Sequence, residues 1–195
     1  MKYTIKNNVT FQQKIQKSTF IGHLSHITNV DSAKQFFHEI NKKNTQATHN
    51  CPAYILGKNG ETVFCSDAGE PSGTAGKPIL NMLHSHELTN IAIVITRYFG
   101  GVKLGVRGLI DAYGGTAEQT ILIGEKEPVI DYFQYKCIIP YNFFDIFTHK
   151  IQIPDVSIIK TEYSEKIEIT ISVTEFAQKE FEILLNELNI NWYGL

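Results

Sequence analysis

The glycines are too unevenly spread for a single uniform architecture: 11 of the 14 fall between Gly57 and Gly115, and residues 125–193 contain none. Glycine permits left-handed backbone and close approach of chain segments. The middle of the chain must therefore make several tight loops, while the C-terminal third must fold from ordinary strand and helix formers. Two folding units are expected, and 195 residues suffice for two small cores. The seam is the charged stretch Gly124 to Pro128, where glycine ends a helix and proline bars its continuation. This places the domains at 1–128 and 129–195. Charge divides at the same place: 13 basic and 10 acidic residues up to position 130 make +3, and 5 against 10 in the remainder make −5. A total of −2 excludes a wholesale polybasic nucleic-acid binder, but the mildly basic first part weakens that exclusion.

Hydrophobic periodicity supports an α+β fold. Residues 10–27 read as extended structure, followed by a helix capped by Asp31 or Ser32, with a Ser32/Gln35 capping-box pattern and Ala33, Phe36, Phe37 and Ile40 inward. Ala53–Leu56 and Thr62–Cys65 read as a hairpin across Gly57-Lys58-Asn59-Gly60. A helix is expected from about Thr74, a strand buried on both faces over Ile91–Thr96, and a long helix over Leu104–Ile123. In the second part, strands are expected at Tyr132–Tyr141, Val156–Tyr163 and Ile167–Val173, and helices at Asn142–Ile151 and Glu175–Leu188. Trp192-Tyr193 adds a short final strand. That order, βαββα(β), is the ferredoxin-like plan.

Two segments between a strand and a helix carry the chemistry. The first, Ser66 to Pro78, is rich in Gly, Ser and Thr and feeds a helix N-terminus, where free N–H groups favour an anion. Its competing role is a tight loop packed beneath a helix, and it is not a P-loop, since Pro78 follows Gly76-Lys77. The second, Thr96 to Gly108, holds both arginines of the chain, Arg97 and Arg107; the other 16 basic residues are lysines. Arginine offers a rigid fork for phosphate or carboxylate that lysine does not. Lys103 and Arg107 share a helical face. Equally, Arg97 can pair with Asp67 or Glu70 and tie the two loops together. Candidate anion or nucleic-acid contacts are thus Ser72, Thr74, Lys77, Arg97, Tyr98, Lys103 and Arg107. Tyr98 and Phe99 are potential stacking platforms, one of each neighbouring pair belonging to the core by strand alternation.

Asp67 and Glu70 form a candidate acid/base pair, with Ser66, Ser72, Thr74 and His49 as partners, although no recognised catalytic motif is present. His23/His26 and His84/His86 lack the further ligands of a metal site, so neither metal nor cofactor is expected. Cys51, Cys65 and Cys137 have no CxxC spacing and suit a reducing compartment. With no long apolar run and no apolar segment near the start, a cytoplasmic protein without a membrane partner is expected.

Three strings resemble the IMPACT/YigZ family: Ala47-x-His49-x-Cys51-x-Ala53, Asp67-x-Gly69-Glu70-Pro71-x-Gly73-Thr74-Ala75-Gly76-x-Pro78, and Thr96-Arg97-Tyr98-Phe99-Gly100-Gly101-x-x-Leu104-Gly105 with Leu109, Ala112 and Tyr113 downstream. With the second domain, the resemblance extends over essentially the whole chain, as in two-domain bacterial members. It implies a first domain like elongation factor G domain IV and the GHMP kinases, and a ferredoxin-like second domain similar to domain V of that factor. Eukaryotic members carry the first domain behind a separate interaction domain and regulate translation under starvation. The expectation is therefore a non-catalytic regulator or accessory factor of translation that binds RNA or the ribosome through residues 67–77 and 97–107. An enzyme acting on a small phosphorylated or carboxylated ligand at the same loops is the first alternative. A module whose acidic second domain meets a basic protein partner is the second.

Overall fold

The first unit grows from its N-terminal strands. In the computed structural model, which describes residues 1–195, the extended start divides into β1 (Tyr3–Ile5), β2 (Val9–Ile15) and β3 (Ser18–His26). Helix α1 (Val30–Lys43) is capped by Asn29 rather than Asp31 or Ser32. The Asn29 side chain accepts from the Ser32 amide, and Ser32 answers from the third helical position, so the box begins three residues earlier than its Ser/Gln pattern suggests. Then follow β4 (His49–Leu56), β5 (Thr62–Cys65), α2 (Gly76–Ser85), β6 (Ile91–Tyr98), α3 (Gly105–Leu122) and β7 (Lys126–Pro128).

The main sheet has the order β2-β3-β6-β4-β5, and every neighbouring pair is antiparallel. Its central strand, β6, is buried on both faces. Residues Ile91, Ile93 and Ile95 join Leu109, Tyr113, Ala117 and Ile121 of α3 and Ile79 and Leu83 of α2 in the main core. Each such isoleucine contributes roughly 1.5–3 kcal/mol on burial, which fixes the strand and every residue at its end. On the opposite face, α1 packs over Tyr54, Leu56 and Ala92, with the Phe37, Tyr54 and Phe64 rings in mutual contact.

The charged stretch after α3 is not a linker. Lys126–Pro128 pairs with Tyr3–Ile5 as a second small sheet, and Lys6 bridges to Glu125 at 2.7 Å. The chain divides into Met1–Val129 and Ile130–Leu195.

The second unit comprises β8 (Tyr132–Ile139), α4 (Phe144–Lys150) after a 3-10 turn at Tyr141–Phe143, β9 (Val156–Tyr163), β10 (Ile167–Thr174), α5 (Gln178–Glu187) and β11 (Asn191–Gly194). The sheet order β11-β8-β10-β9, antiparallel throughout, is the ferredoxin-like arrangement. Ile167, Ile169, Ile171 and Val173 meet Phe147 and Phe181 in its core, as period-two alternation requires. No helix of the chain is long and apolar enough to cross a membrane.

Candidate functional site

Strand register places three of the signature residues side by side. On β6, Arg97 lies opposite Phe20 of β3 on one side and His49 of β4 on the other. All three belong to the face covered by α2 and α3. Arg97 is consequently only 5% exposed. Its guanidinium donates to Glu70 Oε1 at 2.6 Å, and Tyr113 of α3 donates to the same oxygen at 2.7 Å. The guanidinium also lies 5.6 Å from the Phe20 ring centroid and 5.3 Å from that of Phe99. Arg97 therefore ties the two glycine-rich segments together through Glu70. It is not a free phosphate fork. The nearby Cys51 thiol donates to the Asp67 carbonyl and is pushed up to about 12, chiefly by burial, with Glu70 and Asp67 adding to the shift.

The loop from Ser66 to Ala75 is organised by Asp67. Its Oδ1 accepts from the amides of Ala75 and Gly76 at 2.9 Å, and its Oδ2 from that of Gly73 at 2.8 Å. An anion was expected at the start of α2, and the chain supplies its own. Burial pushes the Asp67 pKa upward, but the three amide donors outweigh it and hold the carboxyl below its ordinary value. Asp67 stays ionised and fully engaged, which removes it as a general base at neutral pH. Gly76 is required at this junction because a Cβ there would lie 2.8 Å from the Ser66 backbone. Thr74 is buried and donates to the Pro71 carbonyl at 2.7 Å. Of the first segment's candidates, only Ser72 and Lys77 reach solvent.

The second segment also sorts itself. Strand alternation sends Tyr98 to the face opposite Arg97, where its hydroxyl donates to Asn44 Oδ1 at the end of α1, at 3.0 Å. Phe99, 44% exposed, is the available aromatic instead. Gly100 follows because a Cβ there would collide with the Lys17 carbonyl at 1.7 Å. Lys103 and Arg107 are exposed near the start of α3, Arg107 paired with Asp111 at 3.2 Å. Beside them opens a cavity of about 440 Å³, walled by Phe99, Leu104, Val106 and Leu109 and reaching His49, Glu70 and Arg97. Sequence patterns give His49 only a supporting part and place Tyr113 in the core, where it lies; that strand register brings His49 to Glu70, and the packing of α3 brings Tyr113 there, has no local signature.

Among the remaining candidates, Ser66 accepts from the Ala68 amide at 3.2 Å. His23 is partly buried with Nε2 unpartnered, and its pKa is lowered by burial and by Lys43. The His86 pKa is likewise lowered by burial and by Lys126. No group of three or more His, Cys, Asp or Glu side chains is placed to hold a metal ion.

Two separately cored α+β units, with all the signature strings gathered around one buried Arg–Glu pair in the first, define a two-unit protein whose distinctive surface is the cavity above that pair. Residues 16–121 match the Impact N-terminal domain. The IMPACT family member YvyE of Bacillus subtilis is 35% identical over 187 residues, spanning 95% of this chain and 86% of that protein. The IMPACT family member YigZ of Escherichia coli is 38% identical over 129 residues, 64% of this chain and 63% of that protein. A crystal structure of a hypothetical protein superposes with a TM-score of 0.65 at 28% identity, covering 97% of this chain and 95% of that one. This chain belongs to the IMPACT family.

Proposed function

We propose that the protein is a non-catalytic accessory factor of translation that binds single-stranded RNA on the first unit, around the mouth of the cavity beside Phe99. The observation that carries this reading is the grouping, on one exposed surface, of an accessible aromatic ring, the unpaired cation Lys103 and the lightly paired Arg107. Single-stranded nucleic acid is held by such a combination of stacking rings and backbone-tracking cations. The link to translation rests on what family resemblance implies, and the acidic second unit is not part of the proposed contact.

Fluorescence anisotropy with a labelled single-stranded RNA at several salt concentrations tests it. Contacts from Lys77, Lys103 and Arg107 give a log–log salt slope of about −2, at roughly −0.7 per phosphate. The double variant Lys103→Gln/Arg107→Gln is expected to lower the slope to about −0.7 and to weaken binding at low salt. Unchanged affinity and slope in that variant refute the proposal.

One observation favours the enzyme alternative. His49 is oriented through Nδ1, 2.9 Å from the Ala68 carbonyl, and its Nε2 lies 4.0 Å from Glu70. With Asp67 committed to backbone amides, His49 rather than Asp67 is the group to vary in a test for catalysis.

A further inference from the structure

We infer that the cavity above the Arg97–Glu70 pair is a base pocket selective for an unpaired guanine. The inference rests on the RNA-binding reading and gives it a recognised base.

Glu70 Oε1 is taken by two short hydrogen bonds, from Arg97 and Tyr113. Its other oxygen, Oε2, lies 4.0 Å from His49 Nε2, and Arg97 of the same ion pair keeps its Nε buried as a donor without a partner. The His49 tautomer follows from its other nitrogen. Nδ1 lies 2.9 Å from the Ala68 carbonyl, which can only accept, so the neutral ring keeps its proton on Nδ1 and leaves Nε2 as an acceptor. With the His49 ring neutral, the cavity floor presents two acceptors, Glu70 Oε2 and His49 Nε2, 4.0 Å apart, and a ligand edge with two adjacent donors meets both.

Among the RNA bases only guanine meets that demand on its Watson–Crick edge, with a ring N–H next to an amino group. Adenine and cytosine place an acceptor nitrogen beside the amino group, and uracil flanks its one N–H with carbonyls. Mismatched pairings at such a floor leave buried acceptors facing acceptors, and sites built to receive a donor discriminate strongly against analogues that lack it.

The walls and the mouth fit the rest of a nucleotide. Phe99, Leu104, Val106 and Leu109 make the cavity sides apolar, suited to the faces of an extruded base. The volume of about 440 Å³ lies within the range of small-molecule sites. Lys103, which also lines the cavity, carries the charge that a 5′-phosphate would need. The same chemistry occurs in a free guanine nucleotide and in an unpaired guanosine of an RNA strand, so the experiment separates these sources.

Full-length protein is titrated with three otherwise identical single-stranded RNAs carrying one central guanosine, inosine or adenosine in a uridine background, and by calorimetry with GMP, AMP, CMP and UMP. Inosine differs from guanosine only in lacking the amino group. The guanosine strand is expected to bind on the order of tenfold tighter than the inosine or adenosine strand. Val106→Trp is expected to erase that preference, since position 106 is 62% exposed at the cavity and a larger ring there closes it without disturbing the core. RNA binding with no preference among the three strands, or a preference that survives Val106→Trp, overturns the base pocket and leaves the RNA-binding surface standing. GMP binding over the other mononucleotides without RNA binding supports the pocket, assigns it to free guanine nucleotide and refutes the RNA-binding reading. Silence toward every RNA and every nucleotide overturns both.

Discussion

Replacing Asp67 by alanine removes the acceptor for three backbone amides at once. Those of Ala75 and Gly76 belong to fully or nearly fully buried residues and have no other partner there, while that of Gly73 sits in an exposed turn where water can take over. An unsatisfied buried donor costs about 1–3 kcal/mol. Two of them put the loss near 3 kcal/mol, with a few tenths more from the lost charge at the α2 N-terminus. Asp67→Asn keeps an acceptor but loses the charge and should lose about half as much. Native-state hydrogen exchange of peptides spanning residues 66–85 reads this directly, and it reports on the first unit where the single tryptophan, Trp192, reports on the second. The pH dependence has a definite sign. Because the folded pKa lies below the ordinary value of 3.8, the Asp67 contribution is complete above that value and disappears as pH falls through the lower folded one. The wild-type advantage over Asp67→Ala should therefore be constant from neutral pH down to about 4 and shrink below it. The vacated position also becomes an anion site, so phosphate should stabilise Asp67→Ala more than the wild type. A loss under about 1 kcal/mol, or equal stabilisation of both proteins by phosphate, would show that Asp67 does not serve as the anion of the loop.

Two further predictions concern the interior. Arg97→Met strands Glu70 as a buried unpaired carboxylate and should destabilise the first unit by about 3–5 kcal/mol, whereas Arg97→Met combined with Glu70→Gln should lose clearly less; a double-mutant cycle in urea unfolding measures the difference, and additive losses would deny the pair. Burial pushes Cys51 and Cys137 up to about 12, so native alkylation at neutral pH should modify the half-exposed Cys65 first, with mass spectrometry of peptides as the readout; early labelling of Cys51 or Cys137 would contradict the packing around them.

Much of this architecture could be read from residue order. Alternation over Ile167–Val173, the continuous apolar run of Ile91–Thr96 and the helical spacing of Leu109, Tyr113, Ala117 and Ile121 are local patterns, and each produced the element it announced. Less could be read at the edges. The three-residue strand Tyr3–Ile5 exists because Lys126–Pro128 is there to pair with it, and nothing in either segment alone demands a strand. The α1 cap lies at Asn29 rather than at Asp31 or Ser32 because the stretch from Thr28 to Ser32 holds several residues able to cap, and backbone geometry selects among them.

The glycine-rich segments show the division most sharply. Their composition alone establishes tight loops leading into helices, and alternation along β6 alone establishes that Arg97 and Tyr98 face opposite ways. Which groups meet was settled in three dimensions. Asp67, not an external phosphate, occupies the start of α2, because the loop folds its carboxylate back onto Gly73, Ala75 and Gly76. Arg97 lies beneath the surface with Glu70, 27 residues earlier in the chain, because antiparallel register sets it between Phe20 and His49 and α3 brings Tyr113 over the same carboxylate. Periodicity reports which side of an element is buried, since burial acts on each residue separately. Pairing between distant residues depends on register and on how a loop closes, and those are properties of the assembled chain.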